Sequence, residues 1–157
     1  MAEGLARHLA RARGLDLSFS SAGIAAPEGH PASEFARAAL AARGVDIGAH
    51  RSRRLRPAIL AETDLVVVME EEHRLAVREM PEAALLPVLL LSEWAGEPPL
   101  GPGVDDPIGG DGDDYEAAAT IIETYIQRAL DGLTGPADAP EGGDDGSQEG
   151  RQDMDER

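Results

Sequence analysis

Ala2, Leu5, Leu9 and Ala12 recur every three or four residues, with Glu3, Arg7 and Arg11 offset from them. The spacing predicts an amphipathic helix that stops at Gly14, with Glu3 and Arg7 as a favourable i,i+4 pair. The helical pattern is already running at Met1, with neither a cap residue nor a strand before it. Leu15, Leu17 and Phe19 then alternate with Asp16, Ser18 and Ser20, which predicts a strand over Leu15–Ser20. Pro31 fits the first turn of a second helix closing at Gly44, with Phe35, Ala38, Ala39 and Ala42 as its apolar stripe.

Further along, Pro57 is placed to start a short helix. Asp64–Met69 reads DLVVVM, a β-branched run suited to a strand buried on both faces of a parallel sheet. A helix is expected over Glu70–Met80, with Leu75, Ala76 and Met80 inward. Leu85–Leu91 is a further buried-strand candidate in which Pro87 favours an edge position. Ser92–Gly112 reads as a long loop. Asp113 or Asp114 is expected to cap a final helix with Tyr115, Ala118, Ile122, Tyr125, Ala129 and Leu133 on one face. Helices alternating with strands define an α/β class with a parallel sheet and right-handed crossovers. A chain that opens in mid-helix looks like a doubly wound domain whose first strand is missing.

Composition narrows the function classes. The 157 residues suit one domain, and the longest apolar runs fall far short of the ~20 residues needed to cross a bilayer. No basic segment precedes an apolar one at the start, so a cytoplasmic protein is expected. Cysteine is absent, which removes disulfides, thiolate metal ligands and any cysteine nucleophile from these residues. The net charge of −16 argues against a nucleic-acid partner. All 14 basic residues are Arg, as GC-rich codon usage or a high-salt habitat would give.

After Leu133 the composition changes. Thr134–Arg157 carries eight acids, two Arg and almost no large apolar residue. It is expected to be a disordered acidic tail, because it cannot bury enough surface to offset its ordering entropy. The domain proper is then residues 1–133, still at net −10. Solubility is the expected role of the tail.

Five short motifs, in order, resemble the low-molecular-weight protein tyrosine phosphatases. They are Met1-Ala2-Glu3-Gly4-Leu5, Ser21-Ala22-Gly23, Gly44-Val45-Asp46-Ile47 with His50-Arg51-Ser52-Arg53-Arg54-Leu55, Asp64–Met69, and Asp106-Pro107-Ile108-Gly109-Gly110. The resemblance implies a flavodoxin-like, doubly wound α/β fold. It implies a Cys-x5-Arg loop just ahead of the first helix, whose thiolate attacks a phosphoryl group held over the helix N-terminus. Asp106 is implied as the general acid and then base, with Asp105 the alternative and two solvated loop acids the bland reading. Ser21 matches a serine that helps hold the phosphate loop, with a strand-end hydroxyl satisfying local backbone as the alternative reading.

The implied substrate is a phosphorylated protein or small phosphomonoester, with no cofactor. Ile108-Gly109-Gly110, where tyrosine-specific members commonly carry an aromatic pair, looks more like the bacterial branch that includes protein-arginine phosphatases. His50 is expected to be structural, and His8, His30 and His73 lack companion ligands, so no metal site is expected. Asp111-Gly112-Asp113-Asp114 lacks the spacing of a calcium loop and is read as helix capping. Arg51, Arg53, Arg54 and Arg56 are expected to pair locally with carboxylates. Trp94 is expected at the cleft wall or as a loop anchor.

The family's first strand and its whole Cys-x5-Arg loop have no counterpart in these residues. Each unpaired backbone group kept from water costs about 1–3 kcal/mol, against the ~5–15 kcal/mol of a whole domain. The chain as written is therefore expected not to be a stable catalyst. Either the active protein starts upstream of Met1, or the chain is a non-catalytic remnant or binding module.

Overall fold

A computed structural model describes residues 1–96 and 103–134. Its elements are α1 (Ala2–Ala12), α2 (Glu34–Ala41), α3 (Pro57–Ala61), β1 (Val66–Val68), α4 (Glu71–Arg78), a 3-10 turn (Pro81–Ala83), β2 (Val88–Leu90), α5 (Leu91–Trp94) and α6 (Gly112–Leu133). The expected acidic tail, apart from Thr134, lies outside the described residues.

The sheet has two parallel strands, paired Val66 to Val88, Val67 to Leu89 and Val68 to Leu90. Successive side chains point to opposite faces of a strand, and here both faces are covered. Val67 packs into a cluster built from α1, α2, α5 and α6, centred on Leu5, Leu40, Ile126 and Leu130. Val66 and Val68 pack into a second cluster, with Leu60, Val77, Ala83, Val88 and Leu90. Helices on both faces of a parallel sheet are the doubly wound arrangement. Pro87 closes the ladder by accepting the Val66 N–H at 3.0 Å. This role suits a residue with no N–H of its own.

Segment 15–20 is not a strand, contrary to its alternating pattern. A strand needs a ladder partner, and none lies beside it among the described residues. Phe19 instead gives its carbonyl to the Arg7 guanidinium, from Nε at 3.0 Å and a terminal nitrogen at 2.6 Å. Leu15 and Phe19 still pack against the first cluster. The edge of β1 away from β2 is likewise unpaired among the described residues.

Three helix registers also differ from expectation. Ser33, not Pro31, begins α2, because its Oγ accepts the Ala36 N–H at 3.1 Å. Pro31 forms an isolated antiparallel bridge with Arg51. That shift turns Ala36, Ala39 and Leu40 inward and leaves Phe35 at the surface, stacked at a tilt on Tyr115 with centroids 5.7 Å apart. In α4 only Val77 is buried and Leu75 is exposed. Asp111 caps α6, accepting from the N–H groups of Asp113 and Asp114 at 2.9 and 3.3 Å, while Asp114 accepts from the Asp111 N–H at 3.0 Å. Chain 92–94 is helical rather than loop, and Trp94 packs on the first cluster.

Two arginines tie the helices together. Arg43 reaches Glu116 at 2.8 Å, Glu123 at 2.9 Å and Thr120 at 2.7 Å, and donates to the Ala39 carbonyl, so the end of α2 is fastened to α6. Hydrogen bonding to Glu116 raises the Arg43 pKa, and the Glu116 carboxyl is lowered in turn. Arg74 bridges Glu71 and Glu93, and Glu93 also accepts the Leu90 N–H at 2.9 Å. The Arg74 hydrogen bond, then the Leu90 N–H, hold the Glu93 carboxyl below its ordinary range.

Candidate active site

The head of α1 carries no side-chain cap, and burial lowers the pKa of the Met1 amino group. One turn in, Glu3 gathers three partners. Its Oε2 accepts the Ser21 hydroxyl at 2.5 Å and lies 3.7 Å from His50 Nδ1, while Oε1 meets the Arg7 guanidinium at 2.9 Å. The Arg7 contact is the i,i+4 pair read from the sequence. The Ser21 and His50 contacts are tertiary, and sequence reasoning missed Glu3 as their centre.

The close approach that makes them possible comes from Gly4. A Cβ there would lie 2.7 Å from Ile47 Cγ2 and 3.2 Å from Val45 Cγ1, so only glycine lets α1 sit this near residues 45–47. The Ser–Glu–His order is not that of a nucleophilic triad. There the imidazole must take the serine proton, whereas Ser21 donates to the Glu3 carboxylate and His50 approaches that same carboxylate rather than the hydroxyl. Ser21 is thus held by Glu3, and its carbonyl accepts from Arg53 Nε at 2.8 Å.

Asp106 lies in a loop beyond the carboxyl end of β1. Gly103 has φ +98°, and a Cβ on it would run into the Met69 carbonyl oxygen. Glycine there lets Val104 donate its N–H to that oxygen at 3.2 Å and bury its side chain in the first cluster. Two residues later the Asp106 carboxylate accepts the Ile108 N–H at 3.0 Å, an Asx turn that aims it across Pro107. Asp105, Asp106 and Ile108 are exposed. Among the described residues nothing links Asp106 to the Glu3–Ser21–His50 cluster, and no group of carboxylates and imidazoles fit to hold a metal occurs.

The four arginines of 51–56 do not all behave as expected. Among the described residues only the Arg56 side chain takes a carboxylate, Glu28 at 2.9 Å, which also accepts the Arg54 backbone N–H at 3.2 Å. Arg51 donates to the carbonyls of Gly48 and His50, and Arg53 donates to Ser21. Arg51 and Arg53 face a cleft of about 590 Å3 between α1 and residues 44–53, which Glu3, Ser21 and His50 also line.

Helices on both faces of a parallel sheet, with an aspartate loop held past the carboxyl end of a strand, make the doubly wound α/β arrangement, in which ligands generally bind at that edge. The family model described as "Low molecular weight phosphotyrosine protein phosphatase" matches residues 1–135. The chain belongs to this family of protein-phosphatase hydrolases, whose fold is flavodoxin-like.

It is similar to the low molecular weight protein-tyrosine-phosphatase Ptp of Acinetobacter johnsonii, 24% identical over 78% of this chain and 82% of that protein. Among solved structures, the low molecular weight protein tyrosine phosphatase from T. tengcongensis superposes with a TM-score of 0.77 at 34% identity, covering 84% of this chain and 88% of the other. The YwlE arginine phosphatase from Geobacillus stearothermophilus gives 0.72 at 28% identity, covering 85% of each chain. No described helix is long and apolar enough to cross a membrane.

Proposed function

We infer that these residues form the acid–base half of a cytoplasmic protein phosphatase acting on phosphotyrosine or phosphoarginine. The nucleophilic half is a Cys-x5-Arg loop ahead of Met1. Family membership, together with the Asp106 loop anchored on Met69 by Val104, carries this reading. The edge of β1 away from β2, unpaired among the described residues, supports it, since a further parallel strand pairs along such an edge.

In that form the thiolate attacks phosphorus while the Asp106 carboxyl protonates the leaving oxygen or guanidinium nitrogen. The Asp106 carboxylate next takes a proton from water as that water's oxygen attacks the phosphocysteine. Inorganic phosphate leaves and the thiolate returns. Ser21, fixed by Glu3, is the hydroxyl that helps hold the phosphate loop. Ile108-Gly109-Gly110 and the likeness to arginine phosphatases support a phosphoarginine substrate beside phosphotyrosine.

The 157 residues hold no cysteine, so no phosphocysteine forms on them and no turnover of an aryl phosphate is expected from them alone. Turnover that vanished with Asp106→Ala would overturn that. In a protein extended upstream through the loop, Asp106→Asn should slow kcat by about 10²–10⁴-fold, the contribution of one acid–base group. Phosphate affinity should be nearly unchanged, and Asp105→Asn should do far less. Greater damage from Asp105→Asn would move the acid to that residue, and no effect from either would remove the loop from the mechanism.

A further inference from the structure

The cleft between α1 and residues 44–53 is positive on a negative protein. Its charged walls include Arg7, Arg11, Arg51 and Arg53 against Glu3 and Asp46, whereas residues 1–133 sum to −10. Arg7 is satisfied by Glu3. Among the described residues Arg51 has carbonyl partners but no carboxylate, and the Arg11 side chain has no hydrogen bond or ion pair. Cations lining a concave wall with too few carboxylates to neutralise them make a site for an anionic ligand.

The chain supplies such a ligand within reach. The carboxyl ends of α1 and α6 lie side by side, because Arg13 binds Asp131 through Nε at 2.9 Å and a terminal nitrogen at 2.8 Å. Thr134 closes α6 near that contact, and Arg11, two positions before Arg13, lies on the other side of α1, so a segment leaving Thr134 passes round a helix about 10–12 Å across to reach the cleft. Residues 135–157 follow, with eight acids against two Arg. The cleft runs back along α1 from Arg11 to Glu3, about 12 Å at ~1.5 Å per helical residue. Extended chain covers ~3.3 Å per residue, so 23 residues cross that distance several times over.

We propose that the acidic segment 135–157 docks in this arginine-lined cleft of its own chain. Tethering makes the contact intramolecular, with an effective concentration in the ~mM range. The cleft also reaches Glu3, Ser21 and His50, so a docked segment lies against the side chains that brace the head of α1.

Backbone amide shifts of the full chain are compared with those of a chain ended at Thr134. Loss of the segment should shift amides of residues 4–11 and 44–53, and a synthetic peptide of residues 135–157 added to the shortened chain should reverse those shifts. Both effects should fade between 0.1 M and 1 M NaCl, as the screening length falls from ~10 Å to ~3 Å. Arg11→Glu should abolish them. So should Asp144→Asn, Asp145→Asn and Glu149→Gln made together, which remove three of the segment's charges. Identical cleft shifts in the full and shortened chains would overturn the proposal. So would shifts confined elsewhere, or shifts indifferent to salt. If only an unrelated acidic peptide of equal charge moved the cleft amides, the occupant would be a separate acidic partner and the proposal would fail.

Discussion

Replacing Gly103 by Ala tests how the Asp106 loop is held. At φ +98° an L side chain is strained, which costs about 1–3 kcal/mol by itself. The added Cβ also meets a backbone carbonyl, that of Met69, which cannot swing away as a flexible side chain would. The loop must lift, so the Val104 N–H loses its 3.2 Å bond to Met69, worth a net ~0.5–1.5 kcal/mol. Val104, now 5% exposed, also gives up part of the ~1.5–3 kcal/mol of its burial. A loss of about 2–4 kcal/mol is expected.

Gly109→Ala is the control. It also has positive φ, +85°, but nothing lies within 4 Å of its Cβ position, so only the same backbone strain of about 1–3 kcal/mol applies. Urea unfolding followed by Trp94 fluorescence and helical circular dichroism gives both values, with linear extrapolation. Gly103→Ala should be the worse by at least ~1 kcal/mol. Equal losses, within about 0.5 kcal/mol, would show that the Met69 contact does not anchor the loop.

Leu40→Ala, at a position with no exposed surface, should cost about 2–5 kcal/mol, while Leu85→Ala at 98% exposure should stay within ~0.5 kcal/mol; similar melts for the two would contradict the core assignment. Ser21→Ala removes the hydroxyl from Glu3 and should cost about 1.5 kcal/mol, the low end for a bond to a charged group because the site is partly exposed; an unchanged urea midpoint would refute that contact. The lowered Glu93 carboxyl contributes stability that is full above its unfolded value near ~4.3 and lost as pH falls through the lower folded value. The melting-temperature gap between wild type and Glu93→Gln should therefore be constant near neutral pH and close in acid below ~4.3; a gap that persisted to pH ~2 would refute the linkage.

The local pattern was enough for α1, with its stop at Gly14 and its Glu3–Arg7 pair, for α3 starting at Pro57, and for β1 and β2 as buried strands of a parallel sheet. Each depends on neighbours in the chain, or on a run apolar enough to demand burial on both faces. The order of the motifs was likewise enough for the family and the flavodoxin-like fold. The pattern of segment 15–20 was no less regular, yet it forms no strand, because a strand exists only where a second chain segment offers its N–H and C=O groups. The start of α2 moved from Pro31 to Ser33 for a similar reason. Pro31 was engaged by Arg51, twenty residues on in sequence, and the Ser33 hydroxyl was free to cap.

The site divides along the same line. The Asp106 loop could be read as Asp-Pro-x-Gly-Gly, but its anchor, Gly103 against Met69, needs two segments that meet only in the fold. Ser21 stood out in the sequence, whereas Glu3 as its partner did not, since no local rule carries a helix residue to a side chain eighteen positions away. The arginines after His50 were expected to find carboxylates nearby. Packing instead turned Arg51 and Arg53 toward α1, where with Arg7 and Arg11 they form a positive cleft. Charge along a chain is legible from composition, but which charges share a concave surface is decided by helix placement, and that rests on contacts such as Gly4 on Ile47.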